Sequence, residues 1–438
     1  SIDDNEHSNL KLICDEIFGQ ENFMGEVCRA TGQTTGQDSG GLGSSFDYVL
    51  VYSKTVGFDL SGLPLSEKDL TRFDNEDEVG KYAYDQMRKT GYNDRREDRP
   101  KLFYPVKNPD SEDVYPIAPA GYESRWRFEK KTYEKLLKEN FILWKKTKRD
   151  GQDVWWPYVK YYLENRTKRP SPLWNDLDGN KKAARDIRTL FDGKKVFDFP
   201  KPVSLIERCI QISPNASDDD IVLDFFAGSG TTAHAVMEIN AKTNSKKRFI
   251  CVQLPELVGE GTDAEQEGYK TISEISRDRI KRAGNLIKQL NPEVDVGFKF
   301  LQLSRSNIQP WNVHTEDLEN TLDLNENHLI EGRTELDVLY ELLLKRGIDL
   351  ATPIEKRKIN SKTLYSIGYG AVFACLNDSI SASDLDAISF AIIEWHKALA
   401  PANETHIFFK DSAFQDDVVK TNLVAILEQN GLKHVRSL

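Results

Sequence analysis

VLDFFAGSGTTAHAVMEIN, residues 222–240, decides how the chain is read. An apolar run ends on Asp224, passes a glycine turn and enters an apolar segment at helical spacing, which is a strand, a tight turn and a helix. RFICVQL at 248–254 reads as a second strand. The pair with its crossover helix is a βαβ unit, so an open, largely parallel sheet is expected. A helix through Val203–Ile212 precedes this unit, and a helix over 271–290 and a strand GFKFLQL at 297–303 continue it.

Gly228-Ser-Gly230-Thr-Thr-Ala233 formally fits the dinucleotide pattern G-x-G-x-x-A. Asp224 at the strand end argues against that ligand, because a carboxylate repels a pyrophosphate and suits an ammonium. Glycines allow a close backbone approach, and the helix N-terminus favours a carboxylate. No G-x-x-x-x-G-K-[ST] is present, which disfavours a nucleoside triphosphate. S-adenosyl-L-methionine meets these conditions together; a packed turn without a ligand is the plain alternative. The second strand ends VQLPE, so either Gln253 or Glu256 is placed to hold ribose hydroxyls.

Composition bounds the partners. The 438 residues suffice for two or three domains, and 39% hydrophobic with 10% aromatic content fits a globular protein. No apolar run reaches the roughly 18 residues of a membrane span. Five scattered cysteines without ligand spacing read as free thiols of a reducing cytoplasm, and seven dispersed histidines argue against a structural zinc site. The net charge of −11 hides a local excess. Between Arg125 and Arg169 stand 14 Lys or Arg against 6 Asp or Glu, and five of the seven tryptophans lie in or just after that stretch. Such asymmetry signals an anionic partner.

Along the chain, residues 5–18 read as a helix, TGQTTGQDSGGLGSS at 31–45 as a mobile loop, and FDYVLVYSK at 46–54 as a buried strand. Residues 59–198 show little periodicity and read as a loop-rich recognition module. Residues 304–330 read as a polar connector. A separate α/β segment fills 331–438, opening with Thr334 and Asp337 at capping-box spacing.

Several stretches together resemble one family. DFFAGSGTT at 224–232 is similar to the D-x-F-x-G-x-G motif of amino-methyltransferases acting on an exocyclic base nitrogen, and FDFPKPVSLIERCI at 197–210 resembles their PKP helix. SIDDNEHSNLKLICDEIFG at 1–19 and FDYVLVYSK resemble the segments after their catalytic motif, an order that belongs to the β-type arrangement. GFKFLQLSRSNIQPWN at 297–312 and LDVLYELLLKRGIDL at 336–350 resemble the modification (Mod) subunit of type III restriction–modification systems. The resemblance implies a Rossmann-like S-adenosylmethionine-dependent methyltransferase sheet with an inserted target-recognition domain and a C-terminal α/β domain. The expected divisions are 1–58 and 199–303 for the two methyltransferase parts, 59–198 for recognition, and 304–438 for the connector and a dimerisation or subunit-interaction domain.

The activity implied is methyl transfer to the N6 amino group of a flipped adenine in double-stranded DNA, with cytosine N4 as the alternative target. Implied partners are a second Mod copy and the ATP-dependent restriction (Res) subunit. Residue by residue, Asp224, Phe226, Gly228, Gly230, Thr231 and Thr232 would cradle the methionyl group, with Lys201 and Pro202 on the adjoining wall. Phe46 and Tyr48 would line the base pocket, although ordinary aromatic packing explains them as well. Arg125, Trp126, Arg127, Lys130, Lys131, Lys145, Lys146, Lys148 and Arg149 would contact DNA, although a small tryptophan core is the plain reading for single tryptophans. The family's D-P-P-Y tetrad is absent from the 438 residues, so no catalytic residue is assigned. The expectation is a C-terminal portion of a longer subunit, unable to methylate DNA alone; a dinucleotide oxidoreductase has only G-x-G-x-x-A in its favour.

Overall fold

The computed structural model describes residues 2–32, 45–149, 151–213, 219–308, 329–330 and 332–438. Most of the expected mobile loop and of the polar connector lies outside them. The chain divides into two compact units, Ser1–Gly297 and Phe298–Leu438.

In the first unit the strand Ile221–Asp224 runs parallel to Arg248–Cys251, with Val222 opposite Phe249 and Asp224 opposite Cys251. Their crossover is the helix Thr231–Thr243, which is buried nearly all round: Ala233, Ala235, Val236, Met237 and Ile239 are all in the interior. Small side chains let the helices Val203–Ile212 and Ile272–Leu290 pack against it. Gly284 marks the closest approach, since a Cβ there would lie 3.2 Å from Cβ of Val296 and 3.5 Å from Sδ of Met237. A strand pleat sends alternate residues to opposite faces. Val222 and Phe249 join the helix layer, whereas Ile221, Leu223, Ile250 and Val252 are exposed on the other face.

Two expectations change here. Among the described residues the sheet that carries the glycine turn comprises these two parallel strands, not a wide sheet. GFKFLQL alternates like a strand, but among the described residues it joins no β-ladder and is irregular chain, with Leu303 fully open. The strand Phe46–Tyr52 is real but half-buried. It pairs antiparallel with Phe23–Ala30, and Leu173–Trp174 adds in parallel. The helix His7–Phe18 lies along it, fixed where the Tyr52 hydroxyl donates to Asp15 at 2.6 Å.

Residues expected to be loop-rich contain an ordered four-stranded antiparallel sheet, in the spatial order Asn75–Asp77, Gly80–Gln86, Gln152–Tyr162, Ile142–Arg149. Met87, Tyr104, Val106, Trp126, Tyr133, Ile142, Trp156 and Val159 form its core.

The second unit is a helix–sheet–helix layer. Ile354–Ile359, Lys362–Ile367 and Val372–Cys375 pair antiparallel, and His406–Phe409 and His434–Ser437 extend the sheet in parallel. The helices Leu385–Leu399 and Asp417–Gln429 cover one face around Trp395, Leu423 and Leu427. The helix Glu335–Lys345 covers the other through Leu339 and Leu343. It opens with the expected capping box: Thr334 Oγ1 accepts from the Asp337 N–H at 3.2 Å, and Asp337 accepts from the Thr334 N–H at 2.8 Å. No helix among the described residues is long and apolar enough to cross a membrane.

Glu238 on the central helix gives a stability test. Its hydrogen bond with His234, then that with Lys242, hold its carboxyl down from the ordinary 4.5 to about 2. Because the folded value lies below the unfolded one, the stabilisation is present above 4.5 and is lost as pH falls toward 2. Glu238→Gln should flatten that limb of a melting-temperature-against-pH curve; an unchanged limb would contradict the role.

Candidate cofactor site

The glycine turn is built from its first residue. One Asp224 oxygen accepts from the Phe226 N–H at 3.1 Å, and the other accepts from the Thr232 hydroxyl at 2.5 Å. The carboxylate therefore bridges the strand end and the helix start. Gly228 and Gly230 have φ of +52° and +78°, a region that disfavours side chains. A Cβ on Gly230 would also meet Cγ1 of Ile280 at 3.1 Å and the Ser276 carbonyl oxygen at 3.2 Å.

The neighbouring elements close the turn from behind. The Gly228 N–H donates to Gln253 Oε1 at 2.7 Å, and the Ser276 hydroxyl donates to the Gly228 carbonyl. Thr231 donates to the Lys201 carbonyl at 3.2 Å, which brings the PKP segment against the turn. The Lys201 ammonium is engaged elsewhere, donating to Asp47 at 2.6 Å. Pro202 is buried and caps the helix Val203–Ile212. Phe226 stands open beside the turn at 81% exposure.

Of the expected cofactor residues, the structure thus gathers Asp224, Gly228, Gly230, Thr231, Thr232, Gln253 and the Lys201 backbone. Glu256 is exposed, and its carbonyl receives the Ile272 N–H at 2.9 Å. The arrangement fits S-adenosylmethionine: a carboxylate at the strand end, a backbone cradle that a Cβ would fill, and a helix N-terminus facing the same turn.

Three contributors were not anticipated. Ser276 and Arg279 come from the helix Ile272–Leu290, and Arg279 donates to both Ser229 and Thr231. Its signal was an arginine in the buried series Ile275, Arg279, Ala283, Ile287, spaced four apart on one helix face. The third is Asp47, which takes Lys201 and lies 3.5 Å from Arg29.

Phe46 and Tyr48 flank Asp47 on the strand. Their rings stack edge to face at 5.4 Å, and Tyr48 lies 4.2 Å from the His7 ring. They pack on one another, whatever else they touch.

The basic region separates into two groups. Trp126 is fully buried and donates its indole N–H to the Tyr104 carbonyl at 2.8 Å. Arg125 is buried and donates to the Asn93 carbonyl at 2.5 Å. Both serve the core of this sheet, so the expectation that they face DNA is corrected; the apolar environment and carbonyl partners around them explain it. Arg127 is half-buried between Tyr161 and Asp85.

Lys130 and Lys131 are exposed in the first turn of the helix Lys130–Lys138. On the hairpin Ile142–Arg149 and Gln152–Tyr162, whose outer part 145–149 and 152–156 is a two-stranded ribbon, pleating sorts the cations. Lys145 lies 3.6 Å over the Tyr84 ring and Arg149 lies 3.2 Å over Trp156, on the inner face. Lys146 and Lys148 point to solvent, with Lys146 paired in register to Trp155.

The strand–turn–helix cradle belongs to a mixed α/β protein, and comparison with known proteins places it further. The DNA methylase family profile matches residues 1–273, and the chain belongs to that family. It is 30% identical over 398 residues to the type III restriction–modification enzyme EcoPI Mod subunit of Escherichia phage P1, covering 83% of this chain and 58% of that protein. It is 32% identical over 354 residues to the StyLTI Mod subunit of Salmonella typhimurium, covering 78% and 50%. Against the type II methyltransferase M.KpnI of Klebsiella pneumoniae it is 34% identical over 295 residues, covering 64% and 67%. The chain spans about half to two thirds of the length of these relatives.

Gly230→Ala should lower unfolding stability by about 1–3 kcal/mol, from its positive φ and the approach to Ile280. A urea titration showing a change under about 0.5 kcal/mol, the range of an indifferent surface site, would contradict the tight cradle.

Proposed function

We propose that the chain is the cofactor-binding and DNA-recognition part of a site-specific DNA adenine-N6 methyltransferase, the modification subunit of a type III restriction–modification system. The observation that carries the reading is the Asp224-bridged glycine turn, whose charge and backbone conformation suit a methionyl group. When bound, S-adenosylmethionine supplies an electrophilic methyl group. Asp224 takes the ammonium, Gly228 and Gly230 allow close contact, and Phe226 covers the open side. Glu256 takes the ribose hydroxyls, because the side-chain oxygen of Gln253 is already used by the Gly228 N–H. Lys201 acts through its backbone, with Pro202 setting the helix behind it.

Residues 1–58 and 199–303 form the methyltransferase body in this reading, 59–198 the target-recognition domain, and 304–438 the connector and interaction domain. An adenine inside a duplex must leave the stack to reach the methyl donor, and Phe46 and Tyr48 offer rings for the flipped base. Adenine as the target follows from the family resemblance. DNA binding falls to the exposed Lys130, Lys131, Lys146 and Lys148, with Arg127, Lys145 and Arg149 behind them and Arg125 and Trp126 as support. A two-stranded ribbon is a shape the major groove admits. The C-terminal unit carries the contacts to a second Mod copy and to the Res subunit.

Two measurements test the reading. S-adenosylmethionine should raise the melting temperature and NAD should not; the reverse would return the chain to dinucleotide chemistry. The double variant Lys146→Ala, Lys148→Ala should weaken binding to all duplexes and reduce the slope of log affinity against log salt by about 2. An unchanged slope would remove the ribbon from the interface.

A further inference from the structure

Behind the glycine turn lies a positive charge without a matching negative one among the described residues. Arg279 is 3% exposed. Its Nη1 donates to Ser229 Oγ at 2.6 Å and to Thr231 Oγ1 at 2.5 Å, the two hydroxyls on either side of Gly230. Its Nε–H is buried and has no partner among the described residues. Among the described residues no carboxylate pairs with it, and Asp186 favours its charge only from a distance.

Burying an ion is costly unless it is paired, and two neutral hydroxyls compensate a guanidinium poorly. Arginine nonetheless stays protonated. Simple packing would be better served by leucine at this place in the Ile275–Ala283 series. What the arginine adds is charge, placed behind the N-terminal end of the helix Thr231–Thr243, where the helix dipole is already positive. It also fixes both hydroxyls as acceptors, so the Thr231 O–H is directed to the Lys201 carbonyl, at 3.2 Å. The turn is thereby held in one conformation, and its field favours an anion on the open side.

We propose that Arg279 is a positioning residue for the carboxylate of the aminoacyl group bound at this turn, acting by its charge through Ser229, Gly230 and Thr231. The inference rests on the S-adenosylmethionine reading and deepens it: Asp224 selects the ammonium, and Arg279 selects the carboxylate. Neither residue alone distinguishes an amino acid from a simple amine or acid; the pair does.

Isothermal titration with two ligands tests this. S-adenosylhomocysteine carries both the ammonium and the carboxylate; its decarboxylated form, S-adenosylthiopropylamine, keeps only the ammonium. The unaltered chain should prefer the first by at least about tenfold, as expected for one charge interaction at intermediate dielectric. Arg279→Gln should bring the ratio toward one, and Arg279→Lys should keep most of it. Equal weakening of both ligands in Arg279→Gln, with the ratio preserved, would make the residue merely structural and overturn the proposal. A ratio near one in the unaltered chain would overturn it without any variant, which covers the case in which Arg279→Gln fails to fold. Failure of the unaltered chain to bind either ligand would instead remove the cofactor reading, and this inference with it.

Discussion

The two-handed hydrogen bonding of Asp224 is the constraint on which the site depends. One oxygen holds the chain as it leaves the strand, and the other holds Thr232 in the first turn of the next helix. Hydrogen bonds to a charged group contribute about 1.5–3 kcal/mol each, enough to fix a short turn whose buried side chains are only the small Ala227 and Ser229. With the turn fixed, Gly228 can reach Gln253 on the adjacent strand, and Ser276 and Arg279 can reach it from the helix behind. In the proposed reading the carboxylate that shapes the turn would also take the ligand ammonium, so that shape and selectivity would share one residue.

A second hub ties distant segments of the first unit together. Asp47 accepts from Lys201 and stands 3.5 Å from Arg29, whose other nitrogen donates to Asn180 at 2.6 Å. Strands from the first 52 residues are thus tied to the PKP segment and to the helix Asn180–Leu190. A largely buried ion pair contributes little net stability, but removing one partner leaves a costly charge. Its value here is in holding position: the backbone of Lys201 meets Thr231 only while the PKP segment stays in place. The C-terminal unit needs none of this, since its sheet is covered on both faces by its own helices.

Much of this was legible in the sequence, and the exceptions have physical causes. The strand, turn and helix at 222–240 could be read because glycine, acid and apolar spacing all agree there. The Thr334 cap could be read because capping is local. The stretch 297–303 misled because alternation marks a potential strand but does not supply a partner. The four-stranded antiparallel sheet was hidden because its strands carry aromatic and polar or charged residues on both faces, as the adjacent Trp155 and Trp156 show, so that no period-2 hydropathy pattern marks them. Trp126 and Arg125 looked like DNA contacts because charge can be counted in a sequence while burial cannot. Arg279 was missed for the opposite reason: its place in the series Ile275, Arg279, Ala283, Ile287 is a faint mark in a helix with six other charged residues, and its role shows only once its neighbours in space are known.

In the proposed reading the turn at Asp224 holds S-adenosylmethionine. Ultraviolet crosslinking of the methyl-labelled cofactor, followed by peptide mapping, tests it most directly. The account predicts label in the peptide spanning 222–240, centred on the open ring of Phe226 and displaced by excess S-adenosylhomocysteine. Displaceable label confined to another segment, with none in this peptide, would contradict it.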